Sequence, residues 1–153
     1  MPVVELDEFA SSSRSKRLIG LDLGSKTIGI ALSDAGQMIA TPMETIRRTK
    51  FAKDALRLQE ICTEHDIGGI VLGMPFNMDG SEGPRVQSTR AFVRNLEQKL
   101  DLPYLFWDER LTTVAAERAM LEADLSRKKR AARIDATAAG LILQGVLDRM
   151  RSL

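Results

Sequence analysis

The sequence predicts an α/β fold with a mixed five-stranded sheet, in which three antiparallel strands precede two parallel ones and helices flank the sheet. Residues 18–46 alternate between apolar and other side chains across short turns, which is typical of an antiparallel meander. Two short apolar runs, at 67–73 and 103–107, are typical of strands buried on both faces. The segments between and after these runs repeat apolar residues with a helical period, which indicates strand–helix units with parallel pairing.

The predicted meander contains three strands. Residues 18–23 and 27–33 form the first two, separated by a turn that includes Gly24. The third covers residues 36–46, where Pro42 cannot donate a ladder hydrogen bond and therefore predicts an edge position.

The predicted helices are recognised by apolar residues three and four positions apart. They cover residues 51–65, 86–100, 113–121 and 134–150, with Thr112 or Thr113 as the N-cap of the third helix. Turn-forming residues are dense at 74–84, and a basic loop is expected at 124–133.

The composition fits one globular domain. The chain has 153 residues, of which 44% are hydrophobic and 28% are charged, and its net charge is +1. Overall charge therefore cannot drive nucleic-acid binding, which would need local basic patches. Cys62 and His65 are the only residues of their types, so an internal disulfide and a cysteine-based zinc site are excluded.

Residues 1–15 are predicted to be a flexible N-terminal leader, and residues 16–153 a single domain. The leader combines Glu5, Asp7 and Glu8 with a run of serines, so it lacks the basic and apolar regions of a secretory signal. No apolar stretch reaches the roughly 20 residues that a membrane helix needs. A cytoplasmic location is the default expectation.

Asp22 is the most informative residue, because it lies in the middle of an apolar strand. A carboxylate in such a place must be paired, hydrogen-bonded or bound to a cation. Gly24, two residues later, removes a side chain and lets a ligand approach. The structural interpretation is an ion pair with Lys26 or Arg17, and the functional interpretation is a metal or catalytic site.

Further acids are expected near the same edge of the sheet. Asp108 and Glu109 follow the predicted strand at 103–107, and sites in α/β sheets form at the carboxyl ends of parallel strands. Asp135 lies at the start of the predicted last helix, before small residues that permit close packing. Taken singly, Glu109 is typical of a solvated loop acid and Asp135 of a helix N-cap.

If Asp22, Glu109 and Asp135 converge, they need a cation, because neighbouring carboxylates repel one another. Oxygen ligands without histidine or cysteine favour Mg²⁺ or Mn²⁺. Two such ions, about 3.5–4 Å apart, serve phosphodiester cleavage by activating water and stabilising the leaving oxygen. These three acids are therefore the predicted metal ligands and catalytic residues of a nuclease.

A basic run precedes Asp135 and would hold phosphates that the acids repel. The run supplies four predicted nucleic-acid-binding residues, Lys128, Lys129, Arg130 and Arg133. Lys26 and Arg110 complete the predicted set. The plain alternative is a solvated loop. Aromatic residues make up 5% of the chain, which argues against a base-stacking platform.

Four segments, in this order, resemble the YqgF (RuvX) family. They are LDLGSKTIGIA (21–31), GMP with DGSEG (73–83), DERLTT (108–113) and DATAA (135–139), and the resemblance extends over about residues 17–150. It implies an RNase H-like fold and two-metal chemistry, in which Asp22 bridges the ions and Glu109 and Asp135 complete the coordination. Many RNase H-like nucleases have a fourth acid, for which Asp108 and Asp34 are the candidates here.

Members of that family are described as Holliday junction resolvases and as pre-16S ribosomal RNA nucleases. The resemblance implies a hydrolase acting on structured nucleic acid, and it favours 5′-end processing of precursor 16S rRNA. One alternative is a Holliday junction resolvase, which should be dimeric because it cuts two strands symmetrically. A second is a non-catalytic nucleic-acid-binding module. An actin- or sugar-kinase-like ATPase is disfavoured, because such proteins pair two related domains. We expect a monomer or homodimer with no membrane partner.

Overall fold

The computed structural model describes residues 3–111 and 127–153, with the backbone alone for residues 127–136. Its five strands are β1 (Arg17–Leu23), β2 (Thr27–Ser33), β3 (Ala40–Arg47), β4 (Ile67–Met74) and β5 (Tyr104–Asp108), in the sheet order β3-β2-β1-β4-β5. Pairing is antiparallel from β3 to β1 and parallel from β1 to β5. The predicted mixed sheet is confirmed, and Pro42 lies in an edge strand as expected.

The helices of the described residues are α1 (Leu6–Ser12), α2 (Phe51–Glu64), α3 (Pro84–Leu96) and α4 (Arg127–Met150), with a short 3₁₀ turn at Glu109–Leu111. The helix predicted at 113–121 lies outside the described residues. Within the described ranges, no helix combines the length and the apolar character that crossing a membrane requires.

The sheet separates two apolar layers. On one face, α2 and α3 cover strand residues that include Leu21 and Leu72. On the other face, α1 and α4 cover residues that include Leu18 and Val71. Because successive strand residues point to opposite faces, Asp22 shares the α4 face with Leu18. All residues of β4 are buried, as expected for a strand covered on both faces.

Residues 3–12 differ from the flexible leader that the sequence predicts. Val3 forms a bridge with Tyr104, and the Val4 N–H donates a hydrogen bond to the Tyr104 carbonyl at 2.9 Å. Phe9 of α1 is fully buried, and a Cβ placed on Gly69 of β4 would lie 2.6 Å from its ring. The ring fills the space that this glycine leaves, which a composition rich in charged residues and serine does not reveal.

The last helix also begins earlier than expected. Within the described residues, α4 extends back to Arg127, so the segment predicted as a basic loop is helical from that residue onward. Lysine and arginine are good helix formers, and residues 127–133 contain no glycine or proline to end a helix. Asp135 lies eight residues after Arg127, well inside the helix, and the N-cap interpretation of Asp135 is therefore wrong.

Candidate active site

Asp22 lies near the carboxyl end of β1, on the face that α4 covers, and 3% of its surface is exposed. Its antiparallel neighbour in β2 is Gly29. In β4, Gly73 is the residue that follows the Leu21–Leu72 pair, so the parallel register places it beside Asp22. Neither glycine places a side chain beside the Asp22 carboxylate, so the sheet leaves space there for another group.

Glu109 enters that space from the neighbouring strand end. It begins the 3₁₀ turn directly after β5, where Trp107 pairs with Gly73. A Cβ placed on Gly73 would lie 3.0 Å from Oε2 of Glu109 and 2.5 Å from Cδ1 of Ile142. The Glu109 carboxylate therefore lies over Gly73, one strand away from Asp22 and on the same face of the sheet.

Asp108, the acid before Glu109, has a different environment. Its carboxylate accepts hydrogen bonds from Nη2 of Arg110 at 2.6 Å, from Nε at 3.0 Å and from the Arg110 backbone N–H at 2.9 Å. The hydrogen bonds from the Arg110 side chain hold the pKa of Asp108 below its usual value. Because its oxygens are engaged in this way, we do not assign the fourth metal ligand to Asp108.

Asp34, the other candidate for a fourth acid, lies in the turn between β2 and β3. Its Oδ1 accepts hydrogen bonds from the backbone N–H groups of Ile39 at 3.0 Å and Met38 at 2.8 Å, which lower the pKa of Asp34. Since β2 runs antiparallel to β1, this turn lies at the opposite end of the sheet from Asp22. Asp34 therefore stabilises a turn and is remote from the candidate site.

The direction of α4 follows from its contacts with the edge strand. A Cβ placed on Gly140 would lie 3.3 Å from Cγ of Pro42. One turn later in the helix, Gln144 Oε1 accepts a hydrogen bond from the Ala40 N–H at 2.9 Å. Later residues of α4 therefore contact earlier residues of β3, which means that α4 runs antiparallel to β3. Because β3 and β1 both pair antiparallel with β2, they run in the same direction, and α4 is also antiparallel to β1.

This direction places the backbone of residue 135 near the end of the sheet that carries Asp22. A Cβ on Gly20 would lie 3.1 Å from the Ala139 carbonyl oxygen and 2.8 Å from Cβ of Leu143, so this part of α4 crosses Gly20. Position 135 is one turn before Ala139, about 6 Å along the helix axis. Asp22 is two residues after Gly20, about 7 Å along the strand and in the same direction. The Asp135 side chain itself lies outside the described part of the chain.

The described part of this site fits a hard divalent cation. Asp22 and Glu109 present carboxylate oxygens, the ligands that Mg²⁺ and Mn²⁺ prefer, on one face of the sheet. Among the residues whose side chains are described, no group of three acidic, histidine or cysteine residues could hold an ion. Asp135, the third predicted ligand, is not one of those residues, and the metal-binding role of all three acids stays a prediction.

Arg110 connects the end of β5 with the loop between β4 and α3. Besides its bonds to Asp108, its guanidinium lies over the Phe76 ring, 5.6 Å from the centroid, and Nη1 donates to the Met78 carbonyl at 3.5 Å. The Arg110 side chain therefore holds this loop against the strand end. Its predicted contact with nucleic acid stays a prediction.

Lys26 is exposed in the turn between β1 and β2, close to two arginines that sequence reasoning did not single out. Nη1 of Arg48 donates to the Gly24 carbonyl at 2.6 Å, and Nη2 of Arg85 donates to the Leu23 carbonyl at 3.4 Å. No local sequence signal links these arginines to the turn, because strand pairing and the packing of α3 bring them there. The side chains of Lys128, Lys129, Arg130 and Arg133 lie outside the described part of α4, and their role stays a prediction.

Comparisons with known proteins cover almost the whole chain. The family model described as "RuvX: Holliday junction resolvase" matches residues 16–149. A protein from Cereibacter sphaeroides (strain ATCC 17025) is 66% identical over 146 residues, which are 95% of this chain and 91% of that protein. A protein from Rhodobacter capsulatus is 62% identical over 149 residues, or 97% and 94% of the two chains. Both are named "Putative pre-16S rRNA nuclease".

Two solved structures share the fold. RuvC of T. thermophilus, in complex with a Holliday junction substrate, has a TM-score of 0.57 at 12% identity over 88% of this chain and 96% of its own. The yeast mitochondrial Holliday junction resolvase has a TM-score of 0.51 at 14% identity over 95% and 84%. At such identities the likeness shows the fold alone, and the RNase H-like fold implied by the sequence is confirmed.

Proposed function

We infer that this chain, which belongs to the RuvX family, is a nuclease that hydrolyses phosphodiester bonds in structured nucleic acid. The observation that carries this proposal is the placement of Asp22 and Glu109 on one sheet face, around Gly73. A module that merely binds phosphates gains nothing from adjacent carboxylates, which repel its ligand, whereas a metal-dependent hydrolase needs them. The arrangement therefore favours catalysis over a binding module.

We assign Asp22, Glu109 and Asp135 to a divalent cation, Mg²⁺ or Mn²⁺. When bound, the cation stabilises the negative charge that develops on the phosphoryl oxygens. Asp22 supplies a ligand fixed by strand pairing, and Glu109 supplies one from the turn after β5 and helps position the attacking water. The Asp108–Arg110 pair acts as a positioning element, because its hydrogen bonds shape the turn that carries Glu109.

The proposed substrate is the 5′ end of precursor 16S rRNA, with a cytoplasmic location that follows from this substrate. The support is the name shared by the relatives from Cereibacter sphaeroides and Rhodobacter capsulatus, which are 66% and 62% identical and of which the chain covers 91% and 94%. The second candidate, resolution of Holliday junctions, is favoured by the description of the family. Resolution requires two copies of the chain to cut two strands symmetrically, whereas end processing can be carried out by a monomer.

A cleavage panel distinguishes these substrates. End-labelled precursor 16S rRNA, a DNA strand of the same sequence and a four-way DNA junction are incubated with Mg²⁺, Mn²⁺ or EDTA, and the mass in solution is measured in parallel. We expect cuts at the precursor boundary of the RNA with either metal and none in EDTA. Symmetric junction cutting by a dimer that leaves the RNA intact would select the resolvase. No cleavage of any substrate would refute the nuclease.

Gly73→Ala is expected to slow cleavage by about 10- to 100-fold, in the range for residues that orient metal ligands. Its Cβ would lie 3.0 Å from Oε2 of Glu109 and 2.5 Å from Cδ1 of buried Ile142, so the carboxylate must move. The same crowding should lower the free energy of unfolding by about 1–3 kcal/mol. Single-turnover cleavage and thermal unfolding measure the two effects.

Gly69→Ala is the matched control, because it lies on the same strand and face and would crowd the Phe9 ring at 2.6 Å, away from Glu109. Gly69→Ala should lower the free energy of unfolding about as much as Gly73→Ala does, whereas the folded variant should cleave at the wild-type rate. Equal rates for the two variants would show that Gly73 does not position Glu109.

A further inference from the structure

We propose that the cavity between the β1–β2 turn and the start of α3 binds a backbone phosphate of the nucleic-acid strand, near the phosphate that is cut. This cavity, the turn cavity, has a volume of about 490 Å³. Its polar lining consists of Ser25, Lys26, Thr27, Arg85, Ser88 and Thr89. That the ligand is a nucleic acid rests on the proposed function. That the ligand is an anion rests on the positive charge of the cavity itself.

The charge of the turn cavity is positive and is not neutralised from within. Lys26 and Arg85 line it, and no acid is found among the described residues of its lining. Within the described part of the chain, neither cation forms a salt bridge; Arg85 donates instead to the Leu23 carbonyl at 3.4 Å. The net charge of the whole chain is only +1, so an anion is attracted by local patches of positive charge. Two cations in one recess form such a patch.

The turn that forms one wall is held in place before any ligand arrives. Gly24 N–H donates to the Thr27 carbonyl at 2.9 Å, and Arg48 N–H donates to the Lys26 carbonyl at 2.8 Å. Nη1 of Arg48 also donates to the Gly24 carbonyl at 2.6 Å, while its guanidinium lies over the Phe92 ring at 5.6 Å. Binding therefore need not order this wall, which favours affinity.

The opposite wall adds to the same preference for an anion. α3 begins with Pro84 after the N-cap Gly83, without a side-chain cap and without an acid in its first turn. The first turn of α3, at the positive end of the helix dipole, thus borders the cavity together with Arg85. The hydroxyls of Ser25 and Ser88 are further donors of the kind that contacts phosphate oxygens.

The position of the cavity relates it to the candidate active site. Leu23, the last residue of β1, and Gly24, the first residue after it, line the cavity and directly follow Asp22 in the chain. α3 packs on one face of the sheet and Asp22 faces the other, so the cavity and the acids lie on either side of one sheet edge. Two strand residues span about 7 Å. A nucleic-acid strand crossing this edge can therefore place one phosphate at Asp22 and a nearby one in the cavity.

The test is a binding experiment in EDTA, so that no cleavage is needed. Fluorescence anisotropy measures the affinity of a labelled single-stranded RNA, and of the same RNA with one neutral methylphosphonate linkage moved along the strand. The affected protein carries Lys26→Gln and Arg85→Gln. The control carries Lys53→Gln and Arg94→Gln, two exposed cations of α2 and α3 that do not line the cavity.

We expect the Lys26/Arg85 variant to bind roughly 10-fold more weakly at 100 mM salt and to lose about 1 unit of salt slope, whereas the control keeps both values. One methylphosphonate position should weaken the wild-type complex and leave the complex of the variant unchanged. Equal affinity and slope in the two double variants, or sensitivity at that position in both, would overturn the proposal. An effect confined to a 5′-terminal phosphate would likewise overturn it in favour of an end-binding pocket. Binding with this pattern by a protein that cleaves nothing would retain the cavity and refute the nuclease.

Discussion

Asp22→Asn is expected to reduce cleavage by about 10³-fold or more, because the proposed mechanism draws several kcal/mol of charge stabilisation from a divalent cation that Asp22 would hold. Asparagine keeps the shape of the side chain and removes the charge that attracts the ion. The residue is 3% exposed, and its pairing with Gly29 fixes its backbone position in the sheet. Single-turnover rates on the substrate that the wild-type protein cuts provide the measurement.

A second readout separates loss of the metal from loss of the fold. Mg²⁺ or Mn²⁺ should raise the Tm of the wild-type protein, since a ligand of the folded state stabilises it by mass action. Asp22→Asn should remain folded and show no such rise. Asp34→Asn is the control, because that carboxylate accepts hydrogen bonds in the turn at the opposite end of the sheet. A variant at Asp22 that keeps both the metal-induced rise and the cleavage rate would disprove the assignment of this acid.

Phe9→Ala is expected to lower the free energy of unfolding by about 3–5 kcal/mol, the usual cost of removing a buried phenyl ring. For a chain of this length, about 2–4 °C of Tm is lost per kcal/mol, so we expect a fall of roughly 6–20 °C. The ring is fully buried against Gly69, which has no side chain of its own to fill the cavity that the substitution would leave. Thermal unfolding and guanidinium titration measure the effect.

Glu8→Ala is the control for this prediction, because Glu8 is an exposed neighbour on the same helix. It should change the free energy of unfolding by no more than about 0.5 kcal/mol. If Phe9→Ala and Glu8→Ala unfold at the same temperature, the segment behaves as the flexible leader that its composition suggests, and the packing of α1 is not maintained in solution.

Elements with a strong local pattern were predictable from the sequence. β2 covers the predicted residues, and the fully buried β4 extends one residue beyond its predicted end. Alternation and apolar runs report burial on one or both faces directly. By contrast, the basic run before Asp135 has no apolar pattern. Its helical conformation agrees with the helix propensity of lysine and arginine, which the prediction of a loop did not take into account.

The N-terminal segment shows a different limit. The charged residues and serines that dominate its composition suit the solvent-exposed side of α1. The packing of α1 against the sheet depends instead on one buried phenyl ring, that of Phe9. That ring is complementary to Gly69, a residue sixty positions away in a strand. Complementarity between distant positions leaves no periodic signal in either segment, so sequence reasoning could not find it.

By itself, the sequence determined a mixed α/β sheet with three antiparallel and two parallel strands, and it identified Asp22 as an acid that an apolar strand cannot bury without a partner. The tertiary structure decided the environment of each neighbouring carboxyl group. Glu109 lies over Gly73 because that glycine has no side chain, while adjacent Asp108 is engaged by Arg110. It also brought Arg85 beside Lys26. Local patterns follow from the period of each element, whereas the neighbours of a charge depend on strand register and helix packing, which join residues far apart in the chain.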